Sequence, residues 1–200
     1  MTQPAELPPL RKDTEQTLRK HTGQTLRVWD RAVRVLHWTL VVAVALSALG
    51  LVALFGLHQP AGYVALAAVL ARIVWGAIGS RYARFAQFVR GPRASLRYAR
   101  ALAAGREPRF VGHNPLGGWM VVALMLCTVA LAVTGWVYTT DAFWGDESVE
   151  TVHRALAWTL LGLVAAHVAG VLFTSLRQRE NLVASMLSGA KRAPAQVDVA

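Results

Sequence analysis

His153 and His167 stand fourteen residues apart in an apolar stretch near the C-terminus that is long enough to cross a bilayer. Four helical turns take just over fourteen residues, so on one helix both imidazoles leave the same face, about 21 Å apart along its axis. Ionisable side chains inside a membrane span are expensive and mark functional sites, and two stacked on one face need partners. His37 and His58 supply them: His37 follows Arg34 near the start of another apolar stretch, and His58 sits at the turn into the next. Two pairs result, His58 with His153 and His37 with His167, an arrangement that could clamp two flat macrocycles, one per leaflet.

That chemistry favours haem over a bare ion. Two histidines with no carboxylate nearby leave zinc short of its usual four ligands. A porphyrin iron asks the protein only for axial ligands, and filling both closes the metal to substrate, so such a centre passes electrons. Arg72 follows His58 by the same fourteen residues and shares its face. It is positioned either to bind a haem propionate bidentately or to snorkel toward the aqueous boundary; Arg34 could serve a propionate nearer the surface. Depth fits imperfectly: His37 is nineteen residues before Gly56, about 28 Å, against about 21 Å between His153 and His167. A helix tilt of about 20° helps absorb the mismatch.

The elements that must hold these residues are membrane spans. Hydrophobic residues make up 54% of the chain and charged ones 16%, too apolar for an ordinary soluble domain of this length. Four windows without acids, roughly 35–57, 61–79, 117–140 and 155–176, are each near the ~20 residues a spanning helix needs. Backbone in lipid must bond to itself, so the expected fold is all-α, an integral membrane four-helix transmembrane bundle. The segment between the second and third windows carries eight arginines against one acid, Glu107, and the N-terminal arm is basic too. The connection holding Asp141, Asp146, Glu147 and Glu150 has no Lys or Arg from Asp141 to Thr151. By the positive-inside rule both termini are cytoplasmic and the protein is multi-pass. Residues 1–26 read as a flexible arm, 27–178 as the membrane domain and 179–200 as a cytoplasmic tail, loosely ordered from about Gly189.

The net charge of +10 flanks spans rather than forming a groove-reading element, which points to anionic membrane lipid and not to nucleic acid. Cys127 is the only cysteine, so the chain alone offers no disulfide, thiolate zinc site or iron–sulfur cluster. No nucleotide-binding glycine loop, catalytic triad or hydrolase motif is present.

Four stretches together resemble the bacterial di-haem cytochrome b family of the prokaryotic cytochrome b561 type, related to Ni/Fe-hydrogenase cytochrome b subunits. They are Val28-Trp29-Asp30-Arg31 with Leu36-His37-Trp38; His58 before Gly62-Tyr63 with Arg72-Ile73-Val74-Trp75-Gly76; Gly112-His113-Asn114-Pro115-Leu116-Gly117-Gly118; and His153 through His167. The resemblance spans residues 26–178. It implies two haem b groups with His37, His58, His153 and His167 as axial ligands, relaying electrons between a quinone pool and a periplasmic or membrane-bound redox protein. Two alternatives share the scaffold: the membrane anchor of a hydrogenase or other dehydrogenase, and a stand-alone quinone or superoxide oxidoreductase.

Other residues admit plainer readings. His113 matches a family motif but no axial position; it is either a helix-entry residue beside Pro115 or a quinone- or proton-handling group. His21 lies on the polar arm. Trp29, Trp38, Trp75 and Trp119 gather toward one boundary and Trp136, Trp144 and Trp158 toward the other, the pattern of interfacial belts. Gly50, Gly76, Gly135 and Gly162 are places for close approach by a helix or a macrocycle. The acidic connection is either a solvated face or a docking surface for a basic electron carrier.

Overall fold

The computed structural model describes residues 25–49, 56–194 and 198–199. Gly50 and His21 lie outside them, as does most of the N-terminal arm. Four helices are long and apolar enough to cross a membrane: α1 (Arg31–Ala48), α2 (His58–Ile78), α5 (Pro115–Tyr138) and α6 (Glu147–Gln178). Between α2 and α5 lie a short α3 (Phe85–Phe88) and α4 (Pro92–Ala103), and α7 (Leu182–Ser188) follows α6. Strand β1 (Thr25–Arg27) pairs antiparallel with β2 (Ala190–Arg192).

Polar side chains start three of the four long helices by satisfying amide groups that have no partner inside the helix; α2, which follows Leu57, has no such cap. Asp30 Oδ1 accepts from the Val33 N–H at 2.8 Å, Asn114 Oδ1 from Gly117 at 2.7 Å just ahead of Pro115, and Asp146 from Ser148 and Val149. Glu147 and Glu150 in the first turn of α6 and Arg177 in its last complement the helix dipole. At 32 residues α6 is longer than the expected window, because this capped acidic turn and a basic C-terminal turn extend it at both ends.

The spans pack as two hairpins, α1 on α2 and α5 on α6, joined where α2 meets α5. Few close backbone approaches bring α6 to α1 or α2. Most of its surface is exposed, with only Leu160 buried. Lipid-facing helices bury little against protein, since lipid is as apolar as the side chains it meets.

A compact cap covers the arginine-rich end. Asp30 joins α1 to α2: its Oδ2 accepts from Trp75 Nε1 at 3.0 Å and from the Ser80 hydroxyl. Val28, Trp29, Val33, Ala83 and Val111 form the buried core beneath. Trp29 and Trp75 are thus cap residues rather than members of an interfacial belt, while Trp136, Trp144 and Trp158 at the other end are exposed. Gly76 leaves space for the Phe85 ring, which would collide with any Cβ there.

The described residues after Gly189, 190–194 and 198–199, are tied into the fold. Gly189, at φ +84, lies against the Trp29 carbonyl and accepts hydrogen bonds from the Val28 and Trp29 amides, a position no side chain fits. Arg109 is buried, pairing bidentately with Glu180 at 3.0 Å and also with Asp198. Val199 bridges to the Arg109–Val111 backbone, and Lys191 Nζ donates to the Val111 carbonyl. Burial pushes the Lys191 ammonium down to about 8, against the pull of Glu180. These long-range ion pairs are what a composition-based reading of a loose tail leaves out.

Truncating Arg109 strands buried carboxylates. Arg109→Ala is expected to destabilise the cap by about 3–5 kcal/mol, read as early proteolytic cleavage near residues 189–194 while the spans stay protected.

Candidate functional site

The histidines meet in two places along α6. His58, the first residue of α2, faces His153 with ring centres 6.2 Å apart and planes at 70°. His37, in the second turn of α1, faces His167 at 6.5 Å and 56°. The helices carrying these pairs barely touch, so each pair spans an opening between α6 and the α1–α2 hairpin. The depth mismatch expected from the sequence therefore does not keep His37 from His167.

Hydrogen bonds orient the first pair. Thr134 Oγ1 gives its proton to the carbonyls of Ala130 and Leu131, so its oxygen accepts from His153 Nδ1–H at 3.0 Å. His58 Nδ1 donates to the Ser47 carbonyl at 3.2 Å. With both Nδ1 atoms engaged this way, both Nε2 lone pairs are left for a metal. Gly135 lies directly behind His153: a Cβ there would sit 3.1 Å from the imidazole Cε1. Thr134 and Ser47 carry no motif, and only the fixed chain of contacts reveals them. Gly162, by contrast, faces open space.

Two imidazoles on opposite sides of one metal, each at a bond of about 2.0–2.1 Å with a further ~1.1 Å to its ring centre, have centres about 6.3 Å apart. Both pairs match that spacing. No group of three or more His, Cys, Asp or Glu side chains converges among the described residues, so each site offers two protein donors and no more.

Arg72 is only 7% exposed and does not snorkel. Its Nη2 donates to the Ala83 carbonyl at 3.0 Å, its guanidinium lies 5.4 Å from the Phe85 ring centre, and Nη1 is buried without a partner among the described residues. Arg34 turns elsewhere: Nη2 donates to the Leu187 carbonyl, and the side chain lines a groove between α1 and α2 that none of the four paired histidines borders.

His113 belongs to neither pair. It is wedged between Trp29 and Phe88, with ring centres 4.7 and 4.6 Å away, and its buried Nδ1 has no partner among the described residues. A water-sized cavity borders it, lined also by Tyr82, Gln87 and Arg90. Burial, helped by the charges of Arg72 and Lys191, pulls its pKa down from 6.5 to about 3.

A family model for prokaryotic cytochrome b561 matches residues 28–189, from β1's end to the turn after α7. The chain belongs to that family. Similar proteins include the probable Ni/Fe-hydrogenase B-type cytochrome subunit of Azotobacter vinelandii, 24% identical over 88% of this chain and 92% of that protein. The subunit so named in Cupriavidus necator is 26% identical over 66% of this chain and 64% of its own length. The probable Ni/Fe-hydrogenase 1 B-type cytochrome subunit of Escherichia coli K12 is 23% identical over 81% and 88% respectively. No solved structure matches. All four paired histidines of this cytochrome b561 family member fall inside the matched region.

Gly135→Val is expected to push the His153 ring off its line to His58 and to leave the His37–His167 pair intact; the imidazole NMR resonances of the two pairs check it. His113 gives a pH signature. Its folded pKa is depressed, so between about 6.5 and about 3 the unfolded chain binds the extra proton. Stability should therefore fall as pH drops through that window. In His113→Phe this part of the acid sensitivity should disappear, measured as thermal midpoint against pH.

Proposed function

We propose that this chain is a transmembrane electron carrier with two b-type haems, one held by His58 and His153 and the other by His37 and His167. The observation that carries the reading is the matched ring-centre spacing, 6.2 and 6.5 Å, at two levels of one helix. His58, His153, His37 and His167 would hold the haems, which would supply one-electron exchange. The chain's part is to hold and insulate. Thr134 and the Ser47 carbonyl fix the tautomers of His153 and His58, and Gly135 leaves the ring its place. Nη1 of Arg72, without a partner among the described residues, is suited to a haem propionate, since a buried guanidinium gains from a charge-assisted bond to an anion.

For orientation, the arginine-rich cap is the cytoplasmic side of a bacterial inner membrane and the acidic end the opposite one. The quinone pool is the lipid-soluble redox partner in this reading. The relatives' names favour a hydrogenase or related dehydrogenase as the protein partner, with this chain as its membrane cytochrome subunit. Donation from a stand-alone periplasmic carrier to the acidic end is the competing arrangement. Co-purification of a large metalloprotein subunit selects the first; rates that fall when Asp141, Asp146, Glu147 and Glu150 are neutralised select the second.

A pyridine haemochrome assay should give two haem b per chain. His153→Ala and His167→Ala should each remove one, and a value of zero in assembled wild-type protein would end the proposal. Thr134→Val removes the acceptor that makes His153 more basic. The midpoint potential of the haem at that pair should therefore rise in a redox titration while the other stays put.

A further inference from the structure

On the flank of the α1–α2 hairpin away from the paired histidines runs an open groove of about 860 Å³. Its α1 wall includes Val42 and Leu46, which lie about 140–180° around the helix from His37. Val64 of α2 lines the other wall. Its size is within the ~300–1,000 Å³ typical of sites for small molecules. The wall is apolar over most of its length, and its charge is confined to one end, where Arg31 and Arg34 enter with no Asp or Glu among the lining residues.

Arg34 spends Nη2 on the Leu187 carbonyl, and its Nε has no partner among the described residues. Two guanidiniums without a carboxylate favour an anion. A quinone turning over here would also exchange protons, and no His, Lys, Asp, Glu, Tyr or Cys lines the groove among the described residues.

We propose that the groove binds an anionic phospholipid, its phosphate held by Arg31 and Arg34 and an acyl chain lying along Val42, Leu46 and Val64. This moves Arg34 from the haem to the lipid. It also puts the lipid one side chain from a haem ligand, because the Trp38 ring meets the His37 ring edge-on at 5.4 Å. The inference rests on membrane placement and not on the haem reading, so the two fail separately.

The test is native mass spectrometry of delipidated full-length protein titrated with phosphatidylglycerol or phosphatidylcholine, with the b-haem absorbance recorded alongside. One phosphatidylglycerol should bind about 30-fold more tightly than phosphatidylcholine, the attraction two basic residues near a membrane surface supply together. Arg31→Gln with Arg34→Gln should erase that preference. Val42→Trp, which fills the groove and keeps both guanidiniums, should abolish binding, and both variants should keep the wild-type haem absorbance. Equal binding of the two lipids, undiminished phosphatidylglycerol binding in Val42→Trp, or haem lost with the arginines would overturn the proposal. Should the double arginine variant not assemble, Val42→Trp decides alone.

Discussion

The carboxylate of Asp30 is the contact on which the relative height of α1 and α2 depends. One oxygen caps α1 at Val33; the other takes the indole N–H of Trp75 and the Ser80 hydroxyl at the far end of α2. Hydrophobic packing in lipid fixes the sliding of two helices only weakly, because a Leu against a neighbour and a Leu against an acyl chain differ little. A charged group bonded to both helices removes that freedom. His37 lies seven residues beyond Asp30 and Arg72 three before Trp75, so the bonds that join the helices also set the heights of these two side chains. Burial opposes ionisation of Asp30, but the bonds from Ser80, Val33 and Trp75 together outweigh it and hold its pKa below the ordinary value.

The two ends of the molecule solve different problems. At the acidic end the spans carry little besides the helix cap, and His58 and His153 are steadied by bonds to the backbone and to Thr134. At the arginine-rich end a cap of short helices, one strand pair and buried ion pairs gathers segments from the whole length of the chain. Arg109, Glu180 and Asp198 are far apart in sequence yet meet in one network. Buried charges of this kind contribute little net stability when complete, but they penalise every arrangement in which one is missing. The cap therefore fixes where α1, α2 and α5 begin and end, and leaves α6 held mainly along α5.

Much of this was legible in the chain. The length and apolarity of four segments gave the spans, and the fourteen-residue intervals gave two levels of imidazoles, because helix periodicity converts spacing into direction without further information. What could not be read has a common physical cause. The Thr134 hydroxyl, the Ser47 carbonyl and the cavity beside His113 matter through contacts between segments, and no periodicity encodes which segments touch. The same holds at the C-terminal end, where Gly189 and Asp198 are placed by partners, Trp29 and Arg109, that lie far upstream. Trp29 and Trp75 depart from the belt pattern because position along the chain reports depth but not whether a ring faces lipid or protein. Arg34 and Arg72, alike in sequence context, part company because one lies on the flank of the hairpin and the other is enclosed under Ala83 and Phe85.

Helix α6 is also the fourth of the described spans in chain order. It supplies one histidine to each pair, whereas the partners His37 and His58 lie on α1 and α2. During synthesis, then, α1, α2 and α5 precede it with both early histidines in place and neither pair closed. On the ligand set proposed, both sites wait for one event, the entry of α6, and a chain cut before α6 would hold neither haem rather than one.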